Sequence, residues 1–208
     1  MNMLSPLLGI NDKLKDLPDL KWALVGSMAS VIQGCDIVPG DIDIWVAREA
    51  DVEQVVNCFR EQLPEDAIIT TIEENWVSSL TQPTVTFQID RSDWTLGRVY
   101  INSVKIDIAY AVIREMESYI PGMGLWENGP DIGDLIKFIS VNESVIPVVP
   151  LEVQLQTNYL RGIESRIATI IDKFRTDGYD DALLRYCLEQ DNYKRFLDKV
   201  SKGNELIT

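Results

Sequence analysis

The sequence predicts an α+β fold in which a mixed β-sheet core over residues 1–149 is followed by a helical region over residues 150–208. Three observations carry that expectation. Between residues 22 and 149 the apolar residues fall in short runs bounded by Gly, Pro, Asn and Asp, the spacing of strands and tight turns. After Pro150 the apolar positions recur every three or four residues, the helical period. The 208 residues, 46% hydrophobic and 25% charged, suffice to bury one medium-sized core.

Taken in order, residues 4–20 alternate apolar and charged positions at helical spacing, with Pro18 near the end, and predict an amphipathic helix. "WALVG" at 22–26 predicts a buried strand that stops at Gly26. Ser27 then caps a short helix that ends at Gly34. A Pro39-Gly40 turn leads into a strand, "DIDIWV", at 41–46. Residues 49–62 place Val52, Val55, Val56 and Phe59 on one helical face. Strands follow at 67–72, 84–89, 96–101 and 104–111, the last two joined as a hairpin through Asn102-Ser103. Loop chemistry runs from Ser118 to Gly133, and "LIKFIS" with "VIPVV" predict a second hairpin around Asn142-Glu143. The helical region reads as three helices, at 151–174, 179–189 and 192–200.

Composition then removes whole classes of chemistry. There is no histidine, so no mechanism can use imidazole as base or metal ligand. The three cysteines, Cys35, Cys58 and Cys187, are odd in number and lack C-x-x-C spacing, which points to free thiols. No apolar run approaches the roughly 20 residues that span a bilayer, and the first residues lack a basic stretch followed by a clean apolar one, so a cytoplasmic protein with no membrane partner is expected. A net charge of −14 opposes general nucleic-acid binding, which depends on Lys and Arg neutralising phosphates. The same acidity suits a cationic small molecule, a basic protein partner, or solubility alone.

Within this frame two carboxylates stand out. Asp41 and Asp43 are one residue apart in an apolar strand, so both point to the same side while Ile42 and Ile44 point to the other. Two such charges repel, and burial raises their pKa values unless a cation holds them. Asp107 in "KIDIAY" repeats the pattern, an acid between Ile106 and Ile108. Three acids on neighbouring strands make an oxygen-rich site suited to Mg²⁺ or Mn²⁺. A lone D-x-D also serves as a solvated turn or a cap. Upstream, Gly26-Ser27 between strand and helix offers backbone N–H groups and a hydroxyl of the kind that hold phosphate, or a plain N-capped turn.

Taken together, "LVGS" at 24–27, "DID" at 41–43 and "KID" at 105–107 resemble the nucleotidyltransferase superfamily, whose minimal core is that of DNA polymerase beta. The motifs span about residues 20–111, and "IPVVPLEVQLQTNYLRG" at 146–162 is similar to the sheet-to-helix passage of its small members. The resemblance implies that Asp41 and Asp43 bind divalent ions, Mg²⁺ or Mn²⁺, and that Asp107 completes the site. It implies that Gly26 and Ser27 hold the β- and γ-phosphates of a nucleoside triphosphate donor. The acceptor would be a hydroxyl of a small molecule or a protein. Two departures stand in the motif region: Ser27 occupies the second small position, and Asp36 stands where a basic residue usually precedes D-x-D.

Further candidates are weighed on their own chemistry. Arg161 and Arg166, with Gln154 and Asn158, can reach a triphosphate or form a solvated helix face. Lys105 and Lys137 can add positive charge there or stay exposed. Glu152 is a candidate base or a first-turn acid favoured by the helix dipole. Trp76 and Trp126 lie in polar loops and can stack on a ring. A competing function is a nucleotide- or partner-binding module that kept the fold, for example in a toxin–antitoxin pair. The absence of a D-x-D-x-D-G loop counts against a Ca²⁺-binding structural protein.

Overall fold

A computed structural model describes residues 3–66, 76–89, 92–114 and 132–202. The strand predicted at 67–72 and Trp126 lie outside the described residues. The elements are α1 (Leu4–Leu14), β1 (Trp22–Val25), α2 (Gly26–Ile32), β2 (Ile42–Val46), α3 (Glu49–Asn57), β3 (Val85–Ile89), β4 (Ser92–Ile101), β5 (Val104–Ile113), α4 (Ile132–Leu135), β6 (Lys137–Val141), β7 (Ser144–Val148), α5 (Leu151–Leu160), α6 (Glu164–Asp177), α7 (Asp181–Cys187) and α8 (Gln190–Lys202). The fold is α+β.

Among the described residues seven strands form one mixed sheet in the order β3-β4-β5-β2-β1-β7-β6. The pairs β1/β7 and β2/β5 are parallel, and the other four are antiparallel. Both predicted hairpins are present. At the first, Asn102 and Ser103 take φ values of 50° and 64°, the pair of positive angles that a two-residue turn needs to follow the strand twist.

The helix expected over 49–62 ends at Asn57, with a separate 3-10 turn at Arg60–Gln62, and three further elements differ from their sequence reading, each for a local reason. The first helix stops at Leu14 rather than near residue 20: Pro18 disfavours helical backbone before it, and Asp19 turns the chain with φ 62°. Strand β4 begins at Ser92, not at residue 96, because Ser92, Asp93 and Thr95 hide an alternation whose apolar members are Trp94 and Leu96. The helix predicted over 151–174 is two helices. Gly162 takes φ 65°, its N–H donates to the Tyr159 carbonyl, and the Ile163 N–H donates to that of Asn158. These two bonds close the end of α5 in a glycine cap and redirect the chain into α6.

One buried cluster runs from Met3 to Phe196. On one side α3 lays Val52 and Val56 against β4 and β5; at the far end Phe174, Tyr179 and Phe196 meet edge to face or tilted. Helix α5 is buried from Leu151 to Tyr159 despite carrying Glu152, Gln154, Gln156, Thr157 and Asn158. Among the described residues no helix is long and apolar enough to cross a membrane. The three cysteines are free.

Candidate active site

Strands β2 and β5 run side by side in parallel, with Ile42 opposite Ile106, Asp43 opposite Asp107 and Ile44 opposite Ile108. The four isoleucines are fully buried on one face, so strand alternation turns both aspartates to the other. Asp41 stands immediately before β2. One carboxylate oxygen from each of Asp41, Asp43 and Asp107 lies within 4.8 Å of the others. The three acids picked out in the sequence therefore meet in one cluster.

Asp43 has room because the residue that follows β1 is a glycine. Gly26 takes φ 67°, and a Cβ there would stand 2.1 Å from the Asp43 Oδ2. Any side chain at this position collides with the carboxylate, and its backbone angle favours glycine as well. Gly26 is half-buried and Ser27 is buried at 3% exposure, both in the first turn of α2.

Two cations answer the three acids. Arg98 on β4 is the cross-strand partner of Asp107, and it donates from Nε to Oδ1 at 2.6 Å and from Nη2 to Oδ2 at 2.9 Å. This two-pronged pairing is the arrangement in which guanidinium binds carboxylate best. The Lys105 ammonium lies 2.8 Å from the Asp41 Oδ2 and 3.3 Å from the Asp107 Oδ2. Burial opposes the Lys105 charge, but its hydrogen bond to Asp41 and the charge of Asp107 outweigh it and hold its pKa above the ordinary value. Hydrogen bonding to Asp107 likewise raises Arg98. Among the described residues no cation pairs directly with Asp43 in this way: burial first, then the charges of Asp41 and Asp107, push its carboxyl up to about 7, with Lys105 and Arg161 pulling the other way.

Sequence reasoning missed Arg98. Its signal was present, a charged residue between Gly97 and Val99 in an apolar strand, the same pattern that marked Asp107. Arg161 sits at the exposed end of α5 and lines a cleft of about 140 Å³ with Asp43, Ile44, Trp94, Leu96, Asp107 and Ala109. A larger groove, about 470 Å³, is lined by Glu49, Thr86, Gln88, Asp93, Thr95 and Tyr110 among others. Alternation puts those strand residues on the sheet face opposite Asp107, but Phe87 and Trp94 also line this groove, so it shares Trp94 with the cleft.

The remaining candidates are engaged elsewhere. Glu152 is buried at 2% exposure and accepts from the Lys137 Nζ and the Asp180 N–H, both at 3.1 Å, which ties α5 to β6 and to the start of α7. Lys137 is spent on the same pair. Trp76 is a core residue at 4% exposure. Gln154 and Asn158 are buried in α5, and Arg166 does not line the cleft.

Three hard carboxylate donors clustered beside an open cleft fit a divalent cation such as Mg²⁺ or Mn²⁺. A mixed sheet with one acid on β2 and another just before it, a third on β5 and a glycine-led helix after β1 defines the class: a nucleotidyltransferase-like fold. Among solved structures, the crystal structure of a candidate nucleotidyltransferase from Thermotoga maritima is similar over 84% of this chain and 92% of that one, with 21% identity and a TM-score of 0.55. At that identity the likeness is one of fold. No family model matches the sequence, and no curated protein matches it.

Proposed function

We propose that this protein is a metal-dependent nucleotidyltransferase that moves a nucleoside monophosphate from a nucleoside triphosphate onto a hydroxyl of a small molecule or protein. The observation that carries the reading is the meeting of Asp41, Asp43 and Asp107 within 4.8 Å beside the start of α2. In this reading the acceptor oxygen bonds to the α-phosphorus, its proton passes to a base, and the bond to the bridging oxygen breaks as pyrophosphate leaves. Divalent ions, when bound, supply the positive charge that stabilises the attacking and leaving oxygens. Asp41 and Asp43 hold those ions and Asp107 completes their ligand set. The first turn of α2, Gly26 and Ser27, receives the β- and γ-phosphates, and Arg161 adds positive charge across the cleft.

The test is metal-dependent release of pyrophosphate from a panel of nucleoside triphosphates, with candidate acceptors present. Asp41→Asn or Asp43→Asn is expected to lower the rate by about a hundredfold or more, the scale on which loss of one charged transition-state contact acts. A second reading has one observation in its favour: Arg98 already engages both oxygens of Asp107. A module that binds nucleotide and metal without turnover would show tight binding and no pyrophosphate under the same conditions.

A further inference from the structure

The carboxylate cleft continues past the carboxylates along the sheet. Arg98 is opposite Asp107, so Leu96 and Trp94, two and four residues back along β4, lie on the face that carries Asp107. Ala109 and Ala111 of β5 face the same way, opposite Leu96 and Trp94. So do Val85 and Phe87 of β3. The rings of Phe87 and Trp94 are 6.1 Å apart and within 8° of parallel. Trp94, Leu96 and Ala109 line the same cleft as Asp43, Asp107 and Arg161. Large aromatic residues on β3 and β4 thus stand beside the smallest apolar side chain on β5, a relief that leaves a recess against the indole.

We propose that this recess is the acceptor subsite, and that the acceptor is a hydroxyl compound whose flat ring lies against Trp94. The proposal rests on the transferase reading above and adds the substrate class to it. Strands β1, β2, β5 and β4 are consecutive in the sheet. Helix α2 leaves from β1, the carboxylates stand on β2 and β5, and Trp94 stands on β4. In-line displacement requires the attacking hydroxyl and the leaving pyrophosphate on opposite sides of the α-phosphorus. With pyrophosphate at α2, the hydroxyl enters from the β4 side over Asp107, and the body of its molecule covers Trp94. Across the sheet the step from β2 to β4 is two strand spacings, about 10 Å, and along β4 Trp94 lies four residues, about 13 Å, from the level of Asp107, so the acceptor carries its hydroxyl on an arm that reaches back from the ring. Ala109 is part of the device because a larger side chain there fills the recess.

Two uncharged flat-ring probes test the idea by ligand-observed NMR on the full chain: N-acetyltyrosinamide and adenosine. Each is tried alone and with Mg²⁺ and a non-hydrolysable ATP analogue. At least one probe is expected to bind through its ring protons. Trp94→Ala and Ala109→Leu should each weaken it about tenfold, as loss of a ring contact implies, and Trp94→Phe should retain most of it. Calorimetry should find the affinity for Mg²⁺ and the ATP analogue within about twofold of the original in Trp94→Ala, since the donor is held from the α2 side. The proposal is overturned if no probe binds, if binding ignores both substitutions, or if Trp94→Ala weakens the ATP analogue instead. A failure of the analogue to bind, with probe binding still dependent on Trp94, overturns the transferase reading and keeps the ring site.

Discussion

Gly26 and Asp43 act as one device, and single substitutions separate its parts. The carboxylate can lie against the turn after β1 only because residue 26 has no Cβ. Gly26→Ala adds an atom within 2.1 Å of Oδ2 at a positive φ. It is expected to cost about 1–3 kcal/mol in chemical denaturation and to abolish the rise in unfolding temperature on adding Mg²⁺. Asp43 itself gives a pH signature. Its carboxyl is lifted to about 7 from an ordinary 3.8, so between those values the folded state holds a proton that the unfolded chain has released. Stability from this group is therefore full at the acid end of the window and is lost as pH rises through about 7. The metal-free protein should melt at a higher temperature near pH 5 than near pH 8, and Asp43→Asn should remove most of that difference. An equal difference in the variant would place its origin in other groups. Lys105 offers a third check, because its ammonium bridges Asp41 and Asp107. Lys105→Met is expected to tighten Mg²⁺ binding in calorimetry, since the entering ion no longer displaces a tethered charge; weaker binding would show that Lys105 supports the metal site.

Elements decide where these residues stand, and here the sequence was readable to different depths. Asp41, Asp43 and Asp107 were legible because an acid inside an apolar strand breaks a period-two pattern in a way that is easy to see. The turn at Asn102-Ser103 was legible for a similar reason, since its residue types tolerate the φ angles it needs. Arg98 was not, because which residue of β4 faces Asp107 is a matter of register, and register is set by pairing across the sheet rather than by local pattern. The break after α5 was hidden too: apolar spacing continues on both sides of Gly162, and only the capping bonds from Gly162 and Ile163 reveal the stop. That stop places Arg161 at the cleft. Gly162→Ala, at φ 65°, should destabilise by about 1 kcal/mol, and should weaken binding of the Mg²⁺ complex of an ATP analogue more than an exposed control such as Gly178→Ala on the far side of α6.

At the scale of the whole molecule, the sheet and the later helices share one buried cluster, with Leu24, Ile106, Leu155 and Phe196 all members. A chain cut after Val149 is therefore expected to lack a cooperative thermal transition, and a sharp transition in that fragment would show that the sheet folds by itself. The order in which a ribosome makes these parts has its own consequence. Central strand β1 is synthesised early, yet its parallel neighbour β7 comes more than a hundred residues later, with Leu24 waiting for Val148. Until then one edge of β1 has no partner, and long-range pairing of this kind is slow and exposes strand edges to other chains. Arg161, which lines the far wall of the cleft, emerges later still. Asp41, Asp43 and Asp107 are thus all made before the cleft they line can close, so a nascent chain stalled short of α5 carries the acids without the cleft.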